Sequence, residues 1–199
     1  MYISLFKPFL DKVFVILIMP LILPIILVIS ILIFFFDGMP IFFIQQRPGK
    51  DSKLFKLIKF RTMKDENDSS SSSSSMQRVT KLGQTLRKLS IDELPSLINV
   101  LLGDMSLIGP RPLLKEYLGL YDDNQKKRHN LLPGITGLAQ VEGRNSISWD
   151  EKFHHDLKYV ERVNFFLDIR IFLKSFYIIF NQKIINQDKD LTMKRFDDQ

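Results

Sequence analysis

Twenty-four consecutive residues, Val13 to Phe36, carry no charge and are apolar apart from Pro20, Pro24 and Ser30. At ~1.5 Å rise per residue, a straight helix of that length reaches about 36 Å, enough to cross a ~30 Å hydrocarbon core. The run is too long for a cleaved signal peptide and lacks a small-x-small exit site. A single spanning anchor satisfies the length. A bent, re-entrant helix is favoured by Pro20 and Pro24, one turn apart, because each removes an amide donor and crowds the carbonyl four residues earlier. Charge favours it too. Arg47, Lys50, Lys53, Lys56, Lys59 and Arg61 place the downstream flank in the cytoplasm, and Lys7 and Lys12 resist translocation of the upstream one.

Beyond the apolar run the pattern changes period. Ile41 to Met63 holds two short aromatic and β-branched runs around Arg47-Pro48-Gly49-Lys50, which predicts a small β-hairpin with its turn at those four residues. Asp65 to Ser75 ends in seven consecutive serines and buries nothing, so it is expected to be a flexible surface loop. Helices are predicted over Val79–Leu89, Asp92–Leu102 (closed by Gly103), Tyr117–His129 and Trp149–Val163. Phe165 to Phe180 is a greasy helix with a narrow polar line through Arg170, Lys174, Tyr177 and Asn181. It suits a membrane interface, or equally a core helix with a thin solvated edge. The expected fold is α+β and mainly helical. Residues 1–38 are expected to form a re-entrant membrane helix-break-helix, with a spanning anchor as the alternative, and 39–182 a cytoplasmic domain at the membrane interface. A flexible Ser-rich loop covers 64–77, and 183–199 form a charged tail.

Composition narrows the chemistry. The chain has 199 residues with 28 Lys and Arg against 22 Asp and Glu, a net charge of +6 that suits anionic partners. There is no cysteine, which excludes disulfide scaffolds and thiolate chemistry, and the three histidines are too few for an expected zinc site. His154 and His155 read as surface polar residues. The glycines form neither a Walker nor a Rossmann pattern.

The strongest local signal lies between Arg87 and Pro112. Asp92 and Glu93 are adjacent carboxylates at a predicted helix start, with Arg87 and Lys88 upstream and the stiff turn Gly109-Pro110-Arg111-Pro112 downstream. An ionised carboxylate among fixed cations suits chemistry on phosphate. Ser90-Ile91-Asp92-Glu93 also fits a capping box, so Glu93 is either a cap or a chemical group. In the first turn, Asp92 would share its site with free amides that attract phosphate.

These motifs resemble those of the bacterial sugar transferases, specifically the minimal monotopic phosphoglycosyl transferases, which include the bacillosamine-phosphate transferase of bacterial N-glycosylation. The shared segments are Gln46-Arg47-Pro48-Gly49, Lys59-Phe60-Arg61-Thr62-Met63, Leu89-Ser90-Ile91-Asp92-Glu93-Leu94-Pro95, Gly103-Asp104-Met105-Ser106, Gly109–Pro112, Pro133-Gly134-Ile135-Thr136-Gly137 and Gly143-Arg144-Asn145. The resemblance implies a monotopic enzyme on the cytoplasmic face of the inner membrane, held in phospholipid by its re-entrant helix. It implies transfer of a sugar 1-phosphate from a UDP-sugar to undecaprenyl phosphate, releasing UMP, with Mg2+. Its sugar would be an N-acetylated 6-deoxyhexose such as diacetamidobacillosamine. By position, Asp92 would be the nucleophile and a metal ligand, Glu93 a second catalytic group, and Lys59, Arg61, Arg87, Arg111, Arg144 and Asp156 would bind substrate. Leu23 before Pro24 departs from the family's Ser-Pro and removes a hydroxyl from the bend. A membrane-tethered phosphohydrolase with an Asp nucleophile is the alternative. A basic scaffold or nucleic-acid binder is disfavoured, because the cations are scattered among Gly-Pro turns without stacking aromatics.

Overall fold

The computed structural model describes residues 1–64, 78–143, 146–181 and 196. A π-helical turn, Tyr2–Phe6, leads into α1, Lys7–Phe36. The hairpin strands are β1 (Phe42–Pro48) and β2 (Leu54–Phe60). Next come α2 (Lys81–Lys88), a 3-10 turn at Ile91–Ser96, α3 (Leu97–Leu102) and β3 (Ser106–Ile108). Two 3-10 turns, Lys115–Gly119 and Gln125–Asn130, precede β4 (Gly134–Thr136) and α4 (Leu138–Glu142). Two long helices close the fold, α5 (Trp149–Arg162) and α6 (Phe165–Phe180). The architecture is α+β and mainly helical, as expected. The Ser-rich loop at 65–77, most of the charged tail, and Arg144 lie outside the described residues.

α1 stays helical through Pro20 and Pro24, so the expected helix-break-helix is one continuous helix with prolines inside it. Both prolines lie on its exposed face. A buried stripe follows the opposite face from end to end. Lys7, Asp11 and Val15 begin it, Ile18 and Ile22 continue it against β2 and α3, and Ile29 and Ile33 finish it against Phe60 and Leu86. The outward face is apolar, with Leu21 73 % and Phe35 77 % exposed. Such a face costs free energy in water, at roughly 25 cal/mol per Å² of apolar surface, and suits a hydrocarbon surrounding. α6 adds a second exposed apolar row, Phe166, Ile169, Leu173 and Phe176. That row favours the interface over the core for this helix; Lys174, in its polar line, pairs with Glu142 at 2.7 Å.

A polar latch fixes the N-terminal end of α1. Lys7 Nζ lies 2.7 Å from Asp168 Oδ2 on α6, which also accepts from Tyr2 Oη at 2.6 Å. Tyr159 of α5 donates to Asp168 Oδ1 at 2.6 Å, and Ser106 of β3 donates to Asp11 at 2.5 Å. The C-terminal end is held by Arg61, whose guanidinium donates to the carbonyls of Asp37, Gly38 and Met39.

β1 and β2 pair antiparallel from Phe42↔Phe60 to Pro48↔Leu54, which moves the turn two residues beyond its expected place. Pro48 ends the strand, and Asp51 and Ser52 adopt the positive φ that turns the chain. A second sheet, unforeseen in the sequence, pairs β3 with β4 in parallel, Ser106 opposite Gly134 and Ile108 opposite Thr136. Tyr117–His129 is not one helix. Gln125 N donates to Asp122 Oδ1 at 2.7 Å, a local turn that competes with helix there.

Candidate active site

Asp92 and Glu93 sit in the 3-10 turn that replaces the first part of the expected Asp92–Leu102 helix. Ser90 enters it in a left-handed conformation (φ 57°) and makes no capping bond, so the capping box is absent. Pro95 within the turn has no amide to give an α-helical ladder. Side chains pin the turn to β2 instead. Ser96 Oγ donates to Ile58 O at 2.8 Å, and Asn99 bonds Lys56 O and the Ile58 amide at 2.8 and 3.1 Å.

That docking brings Glu93 against Lys59, with Nζ 2.5 Å from Oε1. Arg111, projected by the Gly-Pro-Arg-Pro turn, reaches the same carboxylate at 2.6 Å from Oε1 and 3.4 Å from Oε2. Glu93 is 14 % exposed and Arg111 44 %. Burial alone would raise the Glu93 pKa, but the charges of Arg111 and Lys59 outweigh it and hold it near about 2. Glu93 is therefore a fixed anion and a poor base.

Asp92 differs from its neighbour. No hydrogen bond from a described residue reaches its carboxylate. Burial and then the charge of Glu93 raise its pKa above the ordinary carboxylate range, against the opposing pull of Lys59, Arg111 and Arg87. Arg87 donates through Nε to Thr62 Oγ1 at 2.8 Å. Burial lowers the pKa of Lys59 and of Arg87. The result is a half-buried carboxylate without a hydrogen-bond partner among the described residues, surrounded by three cations and one ionised, clamped acid. An electron-rich oxygen in a positive surrounding can attack phosphorus while the cations hold the phosphate.

Lys59, Arg87, Arg111, Asp92 and Glu93 line one cleft of about 1380 Å³. Arg61 and Asp156 also reach its wall, with other partners. Arg61 spends its guanidinium on the loop after α1, so its position marks it as an anchor rather than a free substrate contact. Asp156 is buried on α5 and accepts from Arg128 at 2.7 and 3.2 Å. Arg128 in turn donates to Arg111 O at 2.6 Å, which ties Asp156 through Arg128 to the turn that carries Arg111. Sequence reasoning missed Arg128, which looks like part of the solvated run Lys126-Lys127-Arg128. It also missed Asn99, a polar residue inside an apolar helix stretch.

The bacterial sugar transferase family model matches residues 2–182. The chain belongs to that family. Among relatives, it is 51 % identical over 160 residues to the uncharacterized sugar transferase EpsL of Bacillus subtilis, covering 80 % of this chain and 79 % of that protein. It is 37 % identical over 165 residues to the UDP-N-acetylgalactosamine-undecaprenyl-phosphate N-acetylgalactosaminephosphotransferase of Aeromonas hydrophila, covering 78 % of this chain and 39 % of the other. It is 36 % identical over 161 residues to the undecaprenyl-phosphate galactose phosphotransferase of Salmonella typhimurium, covering 72 % and 34 %. The family resemblance in the motifs is thereby established. As a bacterial sugar transferase, the chain places its adjacent carboxylates and its Gly-Pro-Arg-Pro arginine in one cleft beside an apolar helix.

Proposed function

We propose that this sugar transferase moves a sugar 1-phosphate from a UDP-sugar to undecaprenyl phosphate through a covalent intermediate on Asp92. The observation that carries the reading is the contrast within the carboxylate pair: Glu93 is clamped by two cations, and Asp92 has no hydrogen-bond partner among the described residues. In the first step an Asp92 oxygen attacks the phosphorus attached to the sugar. The bond from that phosphorus to the bridging oxygen breaks, and UMP departs with the electron pair. In the second step a phosphate oxygen of undecaprenyl phosphate attacks the same phosphorus and the Asp92–phosphorus bond breaks. Arg87, Lys59 and the half-exposed Arg111 neutralise the diphosphate and then the incoming phosphate. Arg144 is assigned to the same anion by position alone.

Mg2+ takes one or two carboxylates and completes its shell with water and substrate phosphates. The described residues contain no cluster of three acidic or histidine side chains, and the unpartnered Asp92 fits such an open, substrate-completed site. Bound there, the ion would supply further charge compensation on the phosphates.

α1 supports the monotopic reading. Its buried stripe runs its whole length against the catalytic domain, whereas a spanning helix would touch that domain at one end. The prolines on its outer face suit a helix that curves around the domain. Both flanks then lie on the cytoplasmic side, with the cleft at headgroup level. The sugar the family resemblance implies is an N-acetylated 6-deoxyhexose, whereas the relatives' names give galactose and N-acetylgalactosamine. The test is UMP release from a panel of UDP-sugars with the full chain in lipid. Release beyond one equivalent per enzyme that requires undecaprenyl phosphate supports the transferase, and continued release with water alone supports the phosphohydrolase.

A further inference from the structure

On the wall of the cleft formed by α4 and α5, three buried polar atoms have no hydrogen-bond partner among the described residues: Gln140 Oε1, Gln140 Nε2 and Asp156 Oδ1. Buried polar groups in folded proteins are almost always paired, and a carboxamide unpaired at both ends is a clear exception. Asp156 keeps Oδ2 on Arg128 and leaves Oδ1 facing the set already assigned to the substrate. Nothing described so far uses Gln140.

The backbone fixes Gln140 relative to the reacting groups. α4 follows directly from β4, and β4 is registered on β3. The two segments interlock where Gly109 N donates to Thr136 O at 2.9 Å and Gly134 N donates to Pro110 O at 3.0 Å. Glycine is required at 134 and 137, since a Cβ at either would strike the Gly109 backbone. Two residues beyond Gly109 stands Arg111, which clamps Glu93. Gln140 is thus referenced through one rigid turn to the carboxylate pair, and it lines the same cleft.

We infer that Gln140 is a binding residue that holds the nucleobase of the donor by its Watson–Crick edge. This rests on the UDP-sugar reading above. The carboxamide offers a donor and an acceptor side by side. Uracil presents the complement, an N3–H beside a C4 carbonyl on one edge, so two parallel hydrogen bonds form at once. A sugar acetamido group is a trans amide whose N–H and C=O point in opposite directions, so it meets a carboxamide through one bond only. Because Gln140 has no partner to surrender, turning its amide toward a base breaks no hydrogen bond.

The test uses the full chain in lipid nanodiscs and compares the affinities of UMP and N3-methyl-UMP for wild type, Gln140→Met and Gln140→Asn by calorimetry. Wild type should favour UMP, because the methyl group removes the N3–H that the carboxamide accepts. Gln140→Met keeps the side-chain length and removes both polar atoms, so UMP should weaken about tenfold or more, with N3-methyl-UMP little changed. Its melting temperature should hold or rise, because an unpaired buried amide has been removed. Gln140→Asn keeps the amide and withdraws it by one methylene, so its preference for UMP should also shrink. A UMP preference that survives in Gln140→Met overturns the inference, including the case in which only discrimination between acetamido and hydroxyl sugars changes. If Gln140→Met does not fold, an unchanged preference in Gln140→Asn overturns it equally. Wild type that binds neither nucleotide would remove the uridine-donor reading itself.

Discussion

Replacing Glu93 by Gln tests the role assigned to the clamped acid. The substitution keeps the shape and removes the charge that holds Lys59 at 2.5 Å and Arg111 at 2.6 Å. Hydrogen bonds to charged groups contribute about 1.5–3 kcal/mol each, and a glutamine oxygen still accepts weakly. Arg111 is 44 % exposed, so its share is screened by solvent. A total loss of about 2–3 kcal/mol follows, which is roughly a hundredfold in kcat/KM if it is all expressed in the transition state. Expressed as stability, the same loss lowers the melting temperature by about 4–12 °C for a chain of this size. The pH profile separates a clamp from a base. Asp92 must be ionised to attack, and the charge of Glu93 is one cause of its raised pKa. Removing that charge frees two cations to act on Asp92, so the acid limb of the rate profile should move to lower pH. The assay is UMP release against pH for both proteins, with thermal melts alongside. An acid limb that stays in place, together with an unchanged melting temperature, would refute the clamp.

Three further outcomes are expected. Arg111→Ala should lose far more activity than Lys64→Ala, and Arg111→Lys should also be impaired because a single ammonium cannot bridge Glu93 as the guanidinium does; equal tolerance in a UMP-release assay would make the turn structural only. His129 is buried, and burial followed by the charge of Arg128 lowers its pKa from 6.5 to about 4. It therefore contributes stability that is complete above about pH 6.5 and lost as pH falls toward about 4, by a few kcal/mol in all, and chemical denaturation at several pH values should show His129→Gln lacking that slope. Because α1 is latched through Lys7 to Asp168 and packed along the catalytic domain, Ser4→Cys should escape labelling by an impermeant maleimide in intact cells; labelling from outside would show that the segment spans.

The sequence made some of this molecule legible and hid the rest for physical reasons. The apolar run, the hairpin, α5 and α6 were readable because each has a clear period and marked ends. Asp92, Lys59, Arg87 and Arg111 carried enough motif context to be set in one site before any contact was visible. The Ser90 cap failed because local capping preference lost to tertiary docking. Ser96 and Asn99 pull the turn onto β2, and Pro95 prevents the regular helix a cap would begin. Arg61 and Asp156 looked equivalent to the other charged residues, yet three carbonyls occupy one and a buried arginine the other. The β3–β4 pairing escaped notice because each strand is three residues long, too short for any alternation to show. Lys7 was read as a topological charge, and its buried pairing with Asp168 could not be seen without the fold.

The central claim is a covalent phosphosugar on Asp92, and intact-mass analysis tests it most directly. The full chain is incubated with a UDP-sugar that it turns over, in the absence of undecaprenyl phosphate, and quenched. Wild type should gain the mass of one sugar phosphate, mapped by peptide sequencing to Asp92, and should lose it when undecaprenyl phosphate is added; Asp92→Asn should gain nothing. An adduct that forms in Asp92→Asn, or full turnover by that variant, would contradict the account.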